Sequence, residues 1–488
     1  MVVLRALAVQ YPKTIHAGIA FVLALLALSP APHLIPIITL LVSLRVWALA
    51  SISRWRDHWY GLPQLIVVAL ASAGGSLAPS LRALSTPTSS VAVLVLVSSI
   101  TSSIAFAILV GSTWMARSLS NPWAKLTLFP VMWAAIWSLV SHWSPVGQLA
   151  TWSPVSGIGS YGWIRPILGQ PGIDAIVAAW AVVISEAIGD WIVGQSPNAG
   201  SRSRFSLAAV LLALMLPSYA FFEIPLPAVM DQHKYVGVTF EEYSPSDGKS
   251  RNGFALIGSN GGPIFEYYKR KLVPFVESFR LTPGDTPPPI FTLELGPPKG
   301  IKGPEWAPAP NHTRPIPITA SICLDFSSPD TFAHLETRPA LILAPASTWH
   351  TGIGQAMWQQ AKARAAETGS MIVWCDGGAG AVGGIVGGGF NEVVQVGEGS
   401  WTKTVGIQWP FDQRPTFFLQ GGRHASRSLG ILFAIVFFGS AIGYAPGYRR
   451  LSGLVVNGPT RVVAQITEIV GRITGSRRTQ ESELLIDV

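Results

Sequence analysis

The sequence predicts a polytopic α-helical membrane domain joined to an α/β domain on the far side of the membrane. Three observations predict it. Only 12% of the 488 residues are charged against 49% hydrophobic, with a mean hydropathy of +0.40, whereas soluble domains are about a quarter charged. Apolar stretches near the roughly 20 residues that cross a bilayer as helix recur along the first half. At Glu223 the composition then turns to Gly, Pro and acidic residues with short β-rich runs. Together these exclude a disordered chain and a single large soluble globule. The 18 Trp and 38 Pro agree, because Trp favours the headgroup layer and Pro is tolerated at helix ends and kinks in membranes. The net charge of +8 comes without a long Lys/Arg block. It reads as loop charge facing anionic lipid, not as a nucleic-acid surface. Two cysteines, Cys323 and Cys375, make neither a disulfide framework nor a four-ligand zinc site.

Seven candidate spans precede residue 224: Thr14 to Ser29, His33 to Ser53, Leu62 to Leu77, Ser90 to Ser112, Lys125 to Ser141, Gly172 to Gly194 and Phe205 to Phe222. An eighth, Ser428 to Tyr444, follows the polar segment. The first and third are short. The first also has the Arg5 and Lys13 flank of a signal peptide, but the second span follows so closely that a hairpin of two spans is the preferred reading. The expected organisation is a membrane domain over 1–222, an α/β domain over 223–427, a last span over 428–445 and a basic cytoplasmic tail over 446–488.

The basic residues orient this arrangement. With a cytoplasmic N-terminus, the inside loops carry Arg5, Lys13, Arg54, Arg56, Arg117, Lys125, Arg202 and Arg204, and the outside short loops only Arg82 and Arg165. That is the positive-inside asymmetry. It puts the 223–427 segment on the non-cytoplasmic side, in a periplasm or a secretory lumen. The sequon Asn311-His312-Thr313 lies in that segment and is a glycosylation acceptor in a eukaryote. Ionisable residues within spans are functional candidates by default. Asp174 and Asp190 lie near the ends of the sixth span and read as solvated. Glu186 and Arg45 lie deeper, where mutual pairing is the alternative to a direct role. No internal repeat or pair of broken helices supports a transporter.

In the outer segment, Tyr235 to Phe240 reads as a strand. Gly253 to Ile257 and Pro263 to Tyr268 flank Gly258-Ser259-Asn260-Gly261-Gly262, a hairpin signal built on Asn-Gly. Ile316 to Leu324, Ala340 to Leu343 and Ser370 to Cys375 are further apolar strands. Thr351 to Glu367 reads as a helix stopping at Gly369. Strands alternating with a helix indicate an α/β domain. The Gly-rich stretch Gly377 to Gly389 lacks the Gly-Lys-Ser/Thr ending of a phosphate loop. There is no His-Glu-x-x-His, no close His pair and no Gly-x-Ser-x-Gly, so no metal, cofactor or serine elbow is expected.

Cys323 closes the apolar run from Ile316, where a lone Cys is ordinarily a small buried hydrophobe. The surrounding pattern changes that reading. Tyr267-Tyr268-Lys269-Arg270-Lys271-Leu272-Val273-Pro274-Phe275-Val276-Glu277 resembles the Tyr-x-Lys-x-x-Leu-Val-Pro-Phe-Gly-Glu element of apolipoprotein N-acyltransferases, membrane-bound members of the nitrilase (carbon–nitrogen hydrolase) superfamily. The resemblance continues through Thr282-Pro283-Gly284-Asp285 and through Ile322-Cys323-Leu324-Asp325, where the family has Ile-Cys-Tyr-Glu. Ala344-Pro345-Ala346-Ser347-Thr348-Trp349 and Ala363-Arg364-Ala365-Ala366-Glu367-Thr368-Gly369 extend it. The similarity runs from Tyr235 to near His424, and the family also has eight spans with its catalytic domain between the last two.

The resemblance implies a nitrilase-like αββα sandwich, with Cys323 as nucleophile, Lys269 as catalytic lysine and Glu277 as a second functional glutamate. Asp325 stands where the family usually has Glu. A thiol takes an acyl group as a thioester, a nearby ammonium lowers the thiol pKa and stabilises the oxyanion, and a carboxylate relays the proton. For the lysine and the acids, the structural alternative is a solvated strand end or an ion pair.

One part of the pattern is missing. The superfamily's triad glutamate lies upstream of the lysine in a Trp-Pro-Glu-like element, and only about a dozen residues separate Phe222 from the strand at Tyr235. The first strand, first helix and triad glutamate have no room, so the sandwich is expected to be incomplete. Glu242 and Glu241 are the nearest substitutes, and Glu223 is a remote third. Either the chain is a degenerate relative or a coding segment is absent. The expected activity, by resemblance, is transfer of an acyl chain from a phospholipid to an amine, the N-terminal cysteine of a lipoprotein in the bacterial family. Two alternatives are hydrolysis of a small amide and a non-catalytic membrane scaffold. The expected partners are a phospholipid, an amine or lipoprotein acceptor and the membrane, without nucleic acid.

Overall fold

The computed structural model describes residues 12–51, 61–84, 86–193, 199–220, 235–244, 248–258, 261–297 and 300–421. The eighth expected span, the basic tail and Glu223 lie outside these residues.

The N-terminal half is a helical bundle of α1 (Pro12–Ala27), α2 (Leu34–Ser51), α3 (Leu62–Gly75), α4 (Pro87–Ser118), α5 (Pro122–Trp143), α6 (Arg165–Val193) and α7 (Ala199–Ala213). Local chemistry sets the long helices' starts. Thr86 and Asn121 cap α4 and α5 by accepting from Ser89 N and Trp123 N, each with Pro in the first turn, where a missing N–H costs nothing. Inside α6, Gly169 has φ 62, so the regular helix begins beyond it. Apolar residues from α1 to α7 form one continuous core. Within it Trp133 meets Trp137 and Trp152 with ring centroids 5.4 and 6.1 Å apart.

Among the described residues the helices do not support about eight spans. Three stretches are long and apolar enough to cross a membrane, Pro87–Ser118, Pro122–Trp143 and Gly159–Gly189. Thr14–Ala27, Leu34–Leu49 and Leu62–Gly75 are shorter apolar helices. At 1.5 Å per residue, the 14 residues of α3 reach only about 21 Å against a hydrocarbon core of about 30 Å. The seventh expected span breaks, because α7 stops at Ala213 and the chain turns before the four-residue helix Pro217–Ala220.

Of the ionisable residues singled out in the spans, Arg45, Glu186 and Asp174 find partners. Arg45 donates to Ser185 Oγ at 3.0 Å, pairs with Glu186 at 3.3 Å and lies over the Phe129 ring. That is the mutual pairing considered from the sequence. Asp174 departs from its expected solvation. It is buried, accepting from Ser153 Oγ at 2.9 Å and Gln170 Nε2 at 3.1 Å. The loop between α5 and α6 covers the helix end that the sequence leaves open to water.

The second half contains two sheets. One is antiparallel, with β1 (Val236–Ser244), β2 (Lys249–Ile257) and β3 (Pro263–Tyr268) in the order β1-β2-β3. The other is a six-stranded mixed sheet in chain order, β4 (Phe291–Leu295), β5 (Arg314–Ala320), β6 (Leu341–Ala346), β7 (Met371–Asp376), β8 (Val382–Gly387) and β9 (Phe390–Val396). Its β5–β6 and β6–β7 pairs are parallel and its other pairs antiparallel. The sheets share a core in which Phe254, Leu256, Phe265 and Tyr267 meet Leu293, Ile316 and Ile318. The other face of the larger sheet is covered by α8 (Thr351–Thr368), whose Met357, Trp358, Ala361 and Ala365 bury Ile342, Ile372 and Trp374. His350 caps α8 through its side chain, and Gly369, at φ 68, ends it, as the sequence requires.

Three layers result, α8 on sheet on sheet. Among the described residues no helix covers the outward face of β1–β3, where Val236 and Tyr243 are 55% and 63% exposed. The fourth layer of an αββα sandwich is therefore absent from the described residues. β2 and β3 pair antiparallel, as the hairpin reading expects, and Asn260 of its turn lies outside the described residues. The expected strand Ile316 to Leu324 instead ends at Ala320. The two halves touch extensively. Arg165 of α6 lies 3.6 Å from Glu367 of α8, and Trp349 Nε1 donates to Pro79 O at 3.0 Å.

Candidate active site

The site forms where β3, β5, β6 and β7 deliver their C-terminal ends. Lys269 follows β3, and its N–H donates to Asn252 O at 2.8 Å, which fixes the backbone of the strand exit. The chain then loops back through Val273 and Phe275. That loop returns Glu277 to the lysine, where both carboxylate oxygens accept from Lys269 Nζ at 2.7 Å. Glu277 also accepts from Val273 N at 2.8 Å, which locks the loop. Lys269 is only 2% exposed.

Cys323 opens a 3₁₀ turn, Cys323–Ser327, three residues beyond the end of β5. Its φ is 45, a left-handed conformation that a residue with a Cβ adopts only at a cost. This bend follows the end of the strand and holds a half-buried cysteine there. Around Cys323 the charged neighbours are Lys269, Glu277 and Asp376. Burial pushes the thiol pKa up, against the opposing pull of Lys269. For Lys269, burial disfavours the ammonium, but Cys323, Glu277 and Asp325 outweigh it and hold the pKa above 10.5. The lysine is a cation at any ordinary pH.

Asp325 is fully buried and spans two segments. One oxygen accepts from Arg270 N at 3.1 Å and Lys271 N at 2.7 Å. The other accepts from Tyr267 Oη at 2.7 Å and Ile322 N at 3.1 Å. The carboxylate therefore stitches the Lys269 strand exit to the Cys323 turn. Burial raises its pKa against these donors. Glu242 sits apart on exposed β1, accepting from Tyr268 Oη at 2.7 Å, and Glu241 pairs with Arg280 at 2.6 Å. Neither is among the charged neighbours of the sulfur. Of the five residues singled out in the sequence, the structure gathers Cys323, Lys269, Glu277 and Asp325 and leaves Glu242 outside the cluster. The sequence reading missed Asp376. The only available signal was an acid at a strand exit before a Gly-rich turn. Among the described residues no group of His, Cys, Asp and Glu could hold a metal.

No family model matches this chain, and no curated protein matches it either. Solved structures do. An amidase from Nesterenkonia sp. matches at 17% identity and TM-score 0.25, over 33% of this chain and 58% of the amidase. A variant of the Nesterenkonia sp. AN1 amidase, with the acetamide moiety of fluoroacetamide added covalently at its active-site cysteine, matches at 17% identity and TM-score 0.24, over 32% and 54%. A cysteine-to-serine variant from the same organism, an amidase from the nitrilase superfamily, matches at 16% identity and TM-score 0.24, over 32% and 54%. The chain spans about half the length of these amidases.

Proposed function

We propose that this chain is a membrane-integral N-acyltransferase with a carbon–nitrogen-hydrolase-like site. One observation carries the reading, namely a bidentate Lys269–Glu277 pair buried against a cysteine held in a left-handed turn. Cys323 Sγ attacks the ester carbonyl of a phospholipid, forming the S–C bond. Its proton passes to Glu277 by way of Lys269, which hands one proton on as it receives another. The Lys269 ammonium donates to the developing oxyanion. The C–O bond then breaks, the departing alcohol takes the proton, and a thioester remains on Cys323. An amine attacks that thioester, releasing an amide and the free thiol. The net reaction is ester plus amine to amide plus alcohol. Asp325, which touches no reacting atom, positions both segments.

Three apolar helices of spanning length and the basic residues of the cytoplasm-facing loops support membrane integration, with the site on the non-cytoplasmic side. Spans beside the site suit a lipid donor and a lipid-anchored acceptor. The test is incubation of the membrane-embedded protein with acyl-labelled phospholipid, followed by mass spectrometry of the Cys323 peptide. A hydroxylamine-sensitive acyl adduct is expected in the wild type and none in Cys323→Ala. No adduct in the wild type, or equal labelling in both, overturns the reading. The outer face of β1–β3, which no helix covers among the described residues, favours a second reading, a non-catalytic scaffold that offers this sheet to a partner. It wins if Cys323→Ala and Lys269→Ala both preserve the full cellular phenotype.

A further inference from the structure

Where α5 leaves the bundle, its last turn meets the segment that follows the Cys323 turn. His142, one residue before the end of α5, has a partner at each ring nitrogen. Nδ1 lies 2.6 Å from Ser138 O, a carbonyl one helical turn back, and Nε2 lies 3.3 Å from Asp330 Oδ1. A carbonyl only accepts, so Nδ1 carries a proton. A neutral imidazole has one N–H, which leaves Nε2 with a bare lone pair facing a carboxylate oxygen. That contact is repulsive. The imidazolium has two N–H groups and satisfies both sides, and a place in the last turn of a 22-residue helix favours the cation further. Asp330 registers this charge, since His142 beside it holds its carboxyl below the usual carboxylate range.

The segment around Asp330 is tied to its surroundings on either side. Ser328 O accepts from Arg364 Nη1 at 3.2 Å, and Thr331 Oγ1 donates to Asp325 O within the Cys323 turn. The bundle presses on the same turn, for a Cβ on Gly147 (φ 57) would stand 2.3 Å from Ser327 O. We propose that His142 and Asp330 form a proton-dependent clasp, which fastens the end of α5 to the segment after the Cys323 turn while His142 is an imidazolium and lets go when that proton leaves. The inference does not rest on Cys323 being a nucleophile. Asp330 stays ionised into the acid range, so the clasp is closed below the His142 midpoint and opens as pH rises through it. With side chains 23% and 49% exposed, the pair is worth no more than a partly solvated ion pair. Other charges face it from three elements. Arg364 of α8 faces both members and Lys271, after β3, faces Asp330. Asp174 of α6 lines the same small cavity as His142, with its oxygens already accepting from Ser153 and Gln170.

The full-length protein in lipid nanodiscs is followed by hydrogen–deuterium exchange and mass spectrometry from about pH 4.5 to 9.5, a range that spans histidine titration. Exchange at the imidazole Cε1 in the His142 peptide reads the protonation midpoint of that ring. Backbone amide exchange over 328–335, corrected for its intrinsic dependence on pH, reads how often the segment opens. In the parent, opening is expected to rise by about 2–5-fold as pH passes the His142 midpoint, the range of a partly exposed ion pair. Asp330→Asn removes the charge and keeps the size, and its amide can accept from an imidazolium or donate to a neutral ring. There the His142 midpoint is expected to fall by about 0.5 pH, and opening over 328–335 should no longer depend on pH. His142→Gln removes the titration itself, so the step must vanish with it, and this variant decides the matter should Asp330→Asn fail to fold. A His142 midpoint that Asp330→Asn leaves in place overturns the proposal. So does opening that ignores pH in the parent, or a step that survives in His142→Gln.

Discussion

Two buried ionic clusters lie near the Cys323 turn, and they differ instructively. Lys269 and Glu277 form one, beside a half-buried sulfur and with Glu277 19% exposed. Arg364, Glu367 and Arg165 form the other, sealed between α8 and α6. There Arg364 Nη2 meets Glu367 at 2.8 Å, Arg165 Nη1 meets it at 3.6 Å, and all three side chains are at most 2% exposed. Arg165 extends the sealed cluster through Gln170 at 2.7 Å to Asp174. Arg364 also holds Ser328 O, just past the Cys323 turn, at 3.2 Å. Buried charge by itself does not mark chemistry. The first cluster stands beside a cysteine in a left-handed turn and keeps a partly exposed carboxylate, whereas the second is sealed between α8 and α6 and functions as a joint between the halves.

Substitutions should separate the two. Cys323→Ala is expected to abolish acyl transfer, by about 10³-fold or more, while the melting temperature stays within a degree or two of the wild type. Retained turnover would erase the distinction. Glu367→Ala is expected to do the reverse, because it leaves two guanidinium groups facing each other without an anion. Losing one partner of a buried ionic set costs about 3–5 kcal/mol, read as a lower denaturation midpoint, with activity per folded molecule unchanged. Glu277→Gln keeps the shape and removes the charge opposite Lys269. A fall of about 10–100-fold in kcat with little change in KM is expected, the size of a lost acid–base partner. Equal losses in stability would move this pair into the structural class.

The smallest effect concerns pH. The pKa of Lys269 is raised in the folded state, so the stability it contributes is complete below its ordinary value of 10.5 and is lost as pH rises through the higher folded value. The stability difference between wild type and Lys269→Ala, followed by denaturant titration, should therefore hold from pH 7 to 10 and shrink only above that. A difference that already decays by pH 9 would mean that the ammonium is not held as described.

How much of this was legible in the sequence follows from where the information resides. Lys269, Glu277 and Cys323 stand in a contiguous pattern and could be named before any fold. The α8 helix carried its own stop in Gly369. The Ile316 run was misjudged at its end because apolar periodicity says nothing of the positive φ at Cys323 that breaks the strand. Asp174 near a helix end reads as solvated when only the helix is considered, and its burial comes from Ser153 and Gln170. Three of the expected spans fall short for a metrical reason, since an apolar run of 14–16 residues is not yet a crossing. Asp376 was invisible because its role is defined by a loop 28 residues earlier in the chain.

The tie from Trp349 to Pro79 has a mechanical consequence. Trp349 directly follows Thr348, so the loop after β6 is anchored inwardly by Asp376 and outwardly by a helical turn of the bundle. Tilting or sliding that turn pulls on the end of β6, and the bundle thereby serves as a brace for the sheet as well as a mooring.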